Sequence, residues 1–192
     1  MTNIILFHSV LGVRAGVHDA AERLRGAGHD VVTPDLFSGR TFDDYAVAGA
    51  HAESIGFQEL TDRAKEIGAT APPGSVVAGF SAGAGLAQQI AATRPDLAGL
   101  VMIGGALPPP ALGVDAWPKT VPVSIHLAER DPFVPQGGAA PFQAFVERAG
   151  ADIVVHEYPC EGHLYTDPSL PQEYDPAAAA LTWKRVLGFV AA

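Results

Sequence analysis

The sequence predicts an α/β protein with a mostly parallel sheet of six to seven strands and helices on both faces. Two observations predict it: short β-branched runs that are apolar throughout, and helix-forming segments lying between them. A third, the motif Gly79-Phe80-Ser81-Ala82-Gly83, joins one such run directly to one such helix. In chain order, Ile4–His8 reads as the first buried strand, and Gly16–Ala27 as a helix that ends at Gly26-Ala27-Gly28, where glycine commonly terminates helices. Asp30–Thr33 is the second strand, closed by Pro34. From Pro34 to about Gly56 no periodicity stands out, and this stretch reads as a long loop beyond a strand's carboxyl end, where open α/β sheets place their sites. A helix over Gln58–Gly68 leads to the third strand, Ser75–Phe80, and the helix Ala82–Thr93. The fourth and fifth strands, Leu100–Ile103 and Val121–Leu127, precede a helix at Phe142–Ala149, a sixth strand at Ile153–His156 and a last helix at Ala177–Val190. In that last helix Leu181, Val186, Leu187 and Val190 recur at roughly helical spacing, which predicts one apolar, packed face.

With 192 residues, 48% hydrophobic and 17% charged, the chain suits one globular domain over 1–192. Twelve Lys and Arg against 21 Asp and Glu give 12 − 21 = −9, a charge that repels nucleic acid. Ile4-Ile5-Leu6-Phe7 is too short for a signal peptide and has no basic stretch before it, and no run approaches membrane-spanning length. Cys160 is the only cysteine, so no intrachain disulfide or multi-cysteine zinc site can form, and a cytoplasmic location is expected. Following Pro159 and lacking glycine neighbours, Cys160 reads as a structural residue.

The chemistry centres on Ser81. A serine framed as Gly-x-Ser-x-Gly between a strand and a helix is a nucleophile elbow, and its alternative reading is a glycine-rich turn whose serine caps the next helix. An acid and then a histidine, each beyond a strand, favour the elbow. Asp131 follows the fifth strand in Glu129-Arg130-Asp131-Pro132-Phe133-Val134-Pro135, although Asp-Pro also suits a plain turn and Glu129 is a rival acid. His163 follows the sixth strand in Glu161-Gly162-His163-Leu164-Tyr165, on a glycine-flanked loop. His156 is the alternative, but lies on the strand itself. In this reading Ser81 attacks a carbonyl carbon, His163 takes and returns the proton, and Asp131 holds the ring. The oxyanion needs backbone N–H donors from the residue after the serine and from the loop after the first strand, which are Ala82 and Val10. Phe37, Tyr45, His51 and Tyr165 are candidate pocket residues by position, each equally readable as loop packing. His8, His18 and His29 lack metal-ligand spacing, Gly79-x-x-x-Gly83-x-Gly85 does not fit a dinucleotide loop, and no cofactor is expected.

Taken together, His8-Ser9-Val10-Leu11-Gly12-Val13, Thr33-Pro34-Asp35-Leu36-Phe37, the Ser81 elbow, Asp131-Pro132-Phe133-Val134-Pro135 and Gly162-His163-Leu164-Tyr165 make the chain resemble the dienelactone hydrolase family. The similarity covers nearly all of the sequence and implies a compact α/β-hydrolase fold. Two departures bear on substrate. Members known for dienelactone cleavage carry a cysteine nucleophile and a glutamate in the loop after the first strand, where this chain has Ser81 and Ser9. They also use arginines for the substrate carboxylate, one shortly after the catalytic histidine. Here Leu164-Tyr165-Thr166-Asp167-Pro168 supplies none, and Asp167 near the pocket would repel an anion. The resemblance so modified implies a serine hydrolase of a small uncharged ester or lactone. A lysophospholipase-like carboxylesterase and a non-catalytic ligand-binding member of the fold are the alternatives.

Overall fold

A computed structural model describes residues 1–191. Six strands, β1 (Asn3–Phe7), β2 (Asp30–Val32), β3 (Val76–Phe80), β4 (Gly99–Ile103), β5 (Val123–Ala128) and β6 (Ile153–Tyr158), form one sheet in the order β2-β1-β3-β4-β5-β6. All five pairings are parallel. Every residue of β3, β4 and β5 is buried; β3 and β4 accordingly read as continuous apolar runs, whereas β5 buries Ser124 and His126 among its apolar residues.

Alternation along the strands feeds two cores. Ile5, Phe7, Val77, Leu100, Met102 and Ile125 face α3 (Phe57–Ala69), α4 (Ala82–Ala91) and α5 (Ala140–Arg148). Ile4, Leu6, Val76, Ala78, Val101 and Ile103 face α1 (Ala15–Gly26) and α6 (Pro176–Val190). Parallel strands require crossovers over the sheet; α1, α3, α4 and α5 lie in them, the link from β4 to β5 carries only a short helical turn at Pro109–Leu112, and α6 packs back on the sheet after β6. In α6 the packed face differs from the expected one. Trp183, Val186 and Val190 are buried with the small residues Ala178, Ala179 and Thr182, whereas Leu181 is exposed.

The stretch from Pro34 to Gly56 is not a loop throughout, because α2 occupies Tyr45–Ile55. Asp44 caps it, its side chain accepting from the Val47 N–H at 2.9 Å, and Gly56 (φ 97°) turns the chain into α3. Only Ala48 and Ala52 of this helix are buried, an i, i+4 pair too small to stand out as a hydrophobic stripe.

On the α1/α6 face a polar network lies under β5. His126 Nδ1 is 2.8 Å from the Tyr158 hydroxyl and Nε2 is 2.9 Å from Ser124 Oγ. Burial pushes the His126 pKa down to about 3, with nearby His156 and Arg185 adding to the effect. The unfolded chain protonates this imidazole below about pH 6.5, whereas the folded chain keeps it neutral to about 3. Its contribution to stability is therefore complete above pH 6.5 and is lost as pH falls toward 3. Urea titrations at pH 6.5, 5.5 and 4.5 are expected to show His126→Gln losing stability more gently than the unmodified chain, by about 1 kcal/mol per pH unit. Equal slopes would show that this histidine does not govern acid unfolding.

Candidate active site

The elbow is built by close approach. Ser81 sits between β3 and α4 at φ 50° and ψ −115°, outside the regions that ordinary side chains favour. Its N–H donates to the Ile103 carbonyl at 2.8 Å, and its own carbonyl accepts from Ala84 N–H at 2.9 Å and Gly85 N–H at 3.2 Å. These bonds hold the strained backbone in place. A Cβ on Gly79 would stand 2.6 Å from the Ala84 nitrogen, and one on Gly83 would stand 2.7 Å from the Phe7 carbonyl oxygen. Only hydrogen fits at either glycine.

His163 lies in the turn after β6, and the geometry around it fixes its tautomer. Its Nδ1 is 2.7 Å from Asp131 Oδ2, and its Nε2 is 2.7 Å from Ser81 Oγ. An ionised carboxylate can only accept, so the ring proton is on Nδ1, Nε2 accepts, and the Ser81 hydroxyl donates. Asp131 is held in turn: its Oδ1 accepts from Phe133 N–H at 2.8 Å and Val134 N–H at 3.2 Å. The rival acid, Glu129, is exposed, and its backbone N–H donates to the Tyr158 carbonyl. His156 is on β6, its ring 4.9 Å from that of His126. Glycine at 162 lets the loop pass against residue 173, where a Cβ would stand 2.7 Å from the Glu173 carbonyl carbon. The Glu173 side chain accepts from Leu164 N–H at 2.7 Å and from the Tyr45 hydroxyl at 2.9 Å, tying α2 to the histidine loop. Cys160 is buried, and burial with nearby Asp175 pushes its thiol up to about 11, so it is a poor nucleophile.

Val10 and Ala82 both border the cavity beside Ser81, and among the described residues neither backbone N–H has a hydrogen-bond partner within the chain. The direction of the Val10 N–H is set by its own peptide, whose other edge is the Ser9 carbonyl. That oxygen is 2.6 Å from His8 Nδ1 and also accepts from Gly12 N–H at 3.1 Å. His8 Nε2 accepts from Leu36 N–H at 3.1 Å, so the ring is neutral with its proton on Nδ1, and burial lowers its pKa accordingly. His8 thus joins the loop after β1 to the loop after β2. Nothing in its sequence context announces this role.

The cavity of about 730 Å³ opens on these atoms. Phe37 and Tyr45 line it, but His51 does not; its ring packs 5.1 Å from both Phe37 and Phe42. Tyr165 is fully buried in the α6 core, with its hydroxyl 2.9 Å from Thr182 Oγ1 and its ring 5.5 Å from Tyr158. Asp167 is likewise no pocket residue. Its carboxylate accepts from Ser169 N–H at 2.8 Å and lies 4.0 Å from Arg14, against Gly16 of α1. Leu60, Leu86, Leu107 and Phe133 also line the cavity. Their positions in the sequence look like ordinary helix and loop packing.

The dienelactone hydrolase family model matches residues 1–192. The chain belongs to this family. A carboxymethylenebutenolidase of Aquifex aeolicus (strain VF5) is 24% identical, covering 97% of this chain and 86% of that protein. Protein usf of Aquifex pyrophilus is 26% identical with the same coverage. A dienelactone hydrolase-like promiscuous phosphotriesterase from metagenomic libraries superposes with a TM-score of 0.83 at 19% identity, covering 100% of this chain and 86% of its own. As a member of the dienelactone hydrolase family, the chain is a hydrolase acting on ester bonds. Within that family frame Ser9 is turned into its own loop, where its Oγ accepts from Leu11 N–H at 3.1 Å.

Proposed function

We propose that this protein is a serine esterase acting on uncharged carboxylic esters or lactones through an acyl-enzyme on Ser81. The observation that carries the reading is the continuous chain Ser81–His163–Asp131, with both links at 2.7 Å, at the edge of an apolar cavity. Ser81 Oγ forms a bond to the carbonyl carbon as His163 Nε2 takes its proton. Asp131 stabilises the resulting imidazolium, and the oxyanion receives the Val10 and Ala82 N–H groups, assisted by the N-terminal end of α4. Collapse breaks the carbon–oxygen bond to the leaving group, which receives the proton from His163. Water then repeats the sequence on the acyl-enzyme and frees Ser81.

The charge preference follows from the walls. Among the described residues that line the cavity there is no Lys, Arg, Asp or Glu. A substrate carboxylate would be desolvated there without a cation to meet it. A fluorophosphonate probe is therefore expected to label the native protein, and kcat/KM for p-nitrophenyl butyrate is expected to exceed that for dienelactone at least about tenfold. Faster turnover of dienelactone would overturn the charge preference, and absence of labelling would overturn the nucleophile.

A further inference from the structure

The cavity extends well past the reacting atoms, and the two helices beside it give it a length. α3 and α4 converge at their C-terminal ends: a Cβ on Gly68 would stand 2.8 Å from the Ile90 side chain, and Arg94 donates to the Gly68 carbonyl at 2.7 Å. Beside that contact the two helices both line the cavity, α3 with Leu60 and Thr61 and α4 with Gly85, Leu86 and Gln89. Leu107 closes the side next to Gly85. It is fixed there by the buried Gln88 amide, which accepts from Leu107 N–H at 2.7 Å and donates to the Leu107 carbonyl at 3.0 Å. The arm is therefore preformed, and no ordering of a loop is needed to fill it.

Gln89 lies 89 − 81 = 8 residues along α4 from the serine, which at 1.5 Å per residue is about 12 Å, the reach of an extended chain of roughly eight to ten carbons. Thr61 and Gln89 are the polar side chains that α3 and α4 contribute to the lining. Which half of an ester enters is set by the proton path. His163 returns its proton to the leaving oxygen, so the leaving group lies on the His163 side, where the rings of Phe133 and Tyr45 stand 4.8 Å and 6.0 Å from the imidazole. The carbonyl oxygen faces Val10 and Ala82. The remaining direction, along α4, belongs to the acyl chain.

We infer that this arm is an acyl-chain subsite and that the substrates are esters of linear, uncharged, medium-chain acids of roughly eight to ten carbons. The inference rests on the serine-esterase reading and deepens it. The test is a p-nitrophenyl ester series from acetate to palmitate on the unmodified chain, Gln89→Trp and Thr61→Phe, beside a series of acetates of lengthening alcohols. The kcat/KM is expected to rise at least about tenfold from acetate to octanoate and to fall beyond decanoate, because each buried methylene adds binding until the arm is full. Gln89→Trp is expected to move the optimum to shorter acids and to lower the octanoate-to-butyrate ratio about tenfold. Thr61→Phe fills the same space from α3 and yields the same shift, so the test survives if one variant fails to fold. An acyl series flat or falling from acetate, ratios unmoved in the folded variants, or a length dependence on the alcohol instead would each overturn the subsite while leaving the esterase reading standing. Hydrolysis of no ester, with no fluorophosphonate labelling, would overturn both.

Discussion

Alanine at position 81 is expected to lower kcat about 10⁶-fold and to abolish fluorophosphonate labelling, and asparagine at position 131 to lower kcat about 10⁴-fold. The second substitution is the more discriminating because of how Asp131 is held. Oδ1 already accepts from the Phe133 and Val134 N–H groups. An asparagine keeps those bonds by placing its oxygen there, which turns its NH₂ toward His163 Nδ1. The ring must then accept at Nδ1 and carry its proton on Nε2, where it can no longer take the proton of Ser81. Folding and KM are expected to change little, since shape and hydrogen-bond count are conserved. Stopped-flow or steady-state assay of p-nitrophenyl butyrate, with thermal melts of each variant, measures both. Glu129→Gln serves as the control and is expected to retain full kcat, because Glu129 is exposed and its backbone bond to Tyr158 is unaffected. A large loss in Glu129→Gln with none in Asp131→Asn would exchange their roles.

How much of this was legible in the sequence depends on the size and direction of side chains. The buried parallel strands were visible because residues such as Val76, Val77, Leu100 and Val101 are apolar on both faces. The elbow was visible because its glycines are demanded by backbone contacts rather than by chance. The helix over Tyr45–Ile55 was hidden, since its packed face consists of two alanines and its capping aspartate sits in a polar stretch. Sequence proximity to His163 misplaced Tyr165 and Asp167. The chain turns over these residues, with Asp167 N–H donating to the Leu164 carbonyl at 2.8 Å, and directs both away from the cavity. Cavity walls are the hardest feature to read, because Leu60 or Leu86 beside a void has the same local pattern as a leucine in the core. The ring of His8 is in the same position: its bonds to the Ser9 carbonyl and the Leu36 N–H join segments that only the sheet brings together.

Gly83→Ala is expected to cost roughly 3 to 5 kcal/mol of stability, at the far end of what a single methyl group can do. The added carbon would stand 2.7 Å from the Phe7 carbonyl oxygen, and the His8 carbonyl oxygen lies nearer still. Both belong to backbone that cannot give way cheaply. Phe7 ends β1 and is paired with Gly79 of β3, and His8 carries the ring that orients the Ser9–Val10 peptide. Relief would require α4 to move away from β1, which separates Ala82 from Val10 and takes the two N–H groups proposed to receive the oxyanion out of common reach. Stability and kcat are therefore expected to fall together, with a melting temperature lower by about 10 °C or more for a chain of this size. Gly85→Ala is the internal contrast. Its Cβ would meet only the Leu107 side chain, at 3.1 Å, and replacing glycine within a helix returns about 0.5–1 kcal/mol, so its stability is expected to stay within about 1 kcal/mol of the unmodified chain. Calorimetric melts of the two variants side by side separate backbone collision from the general effect of a methyl group. A Gly83→Ala protein as stable and as active as the Gly85→Ala protein would mean that α4 does not meet β1 as closely as the elbow requires.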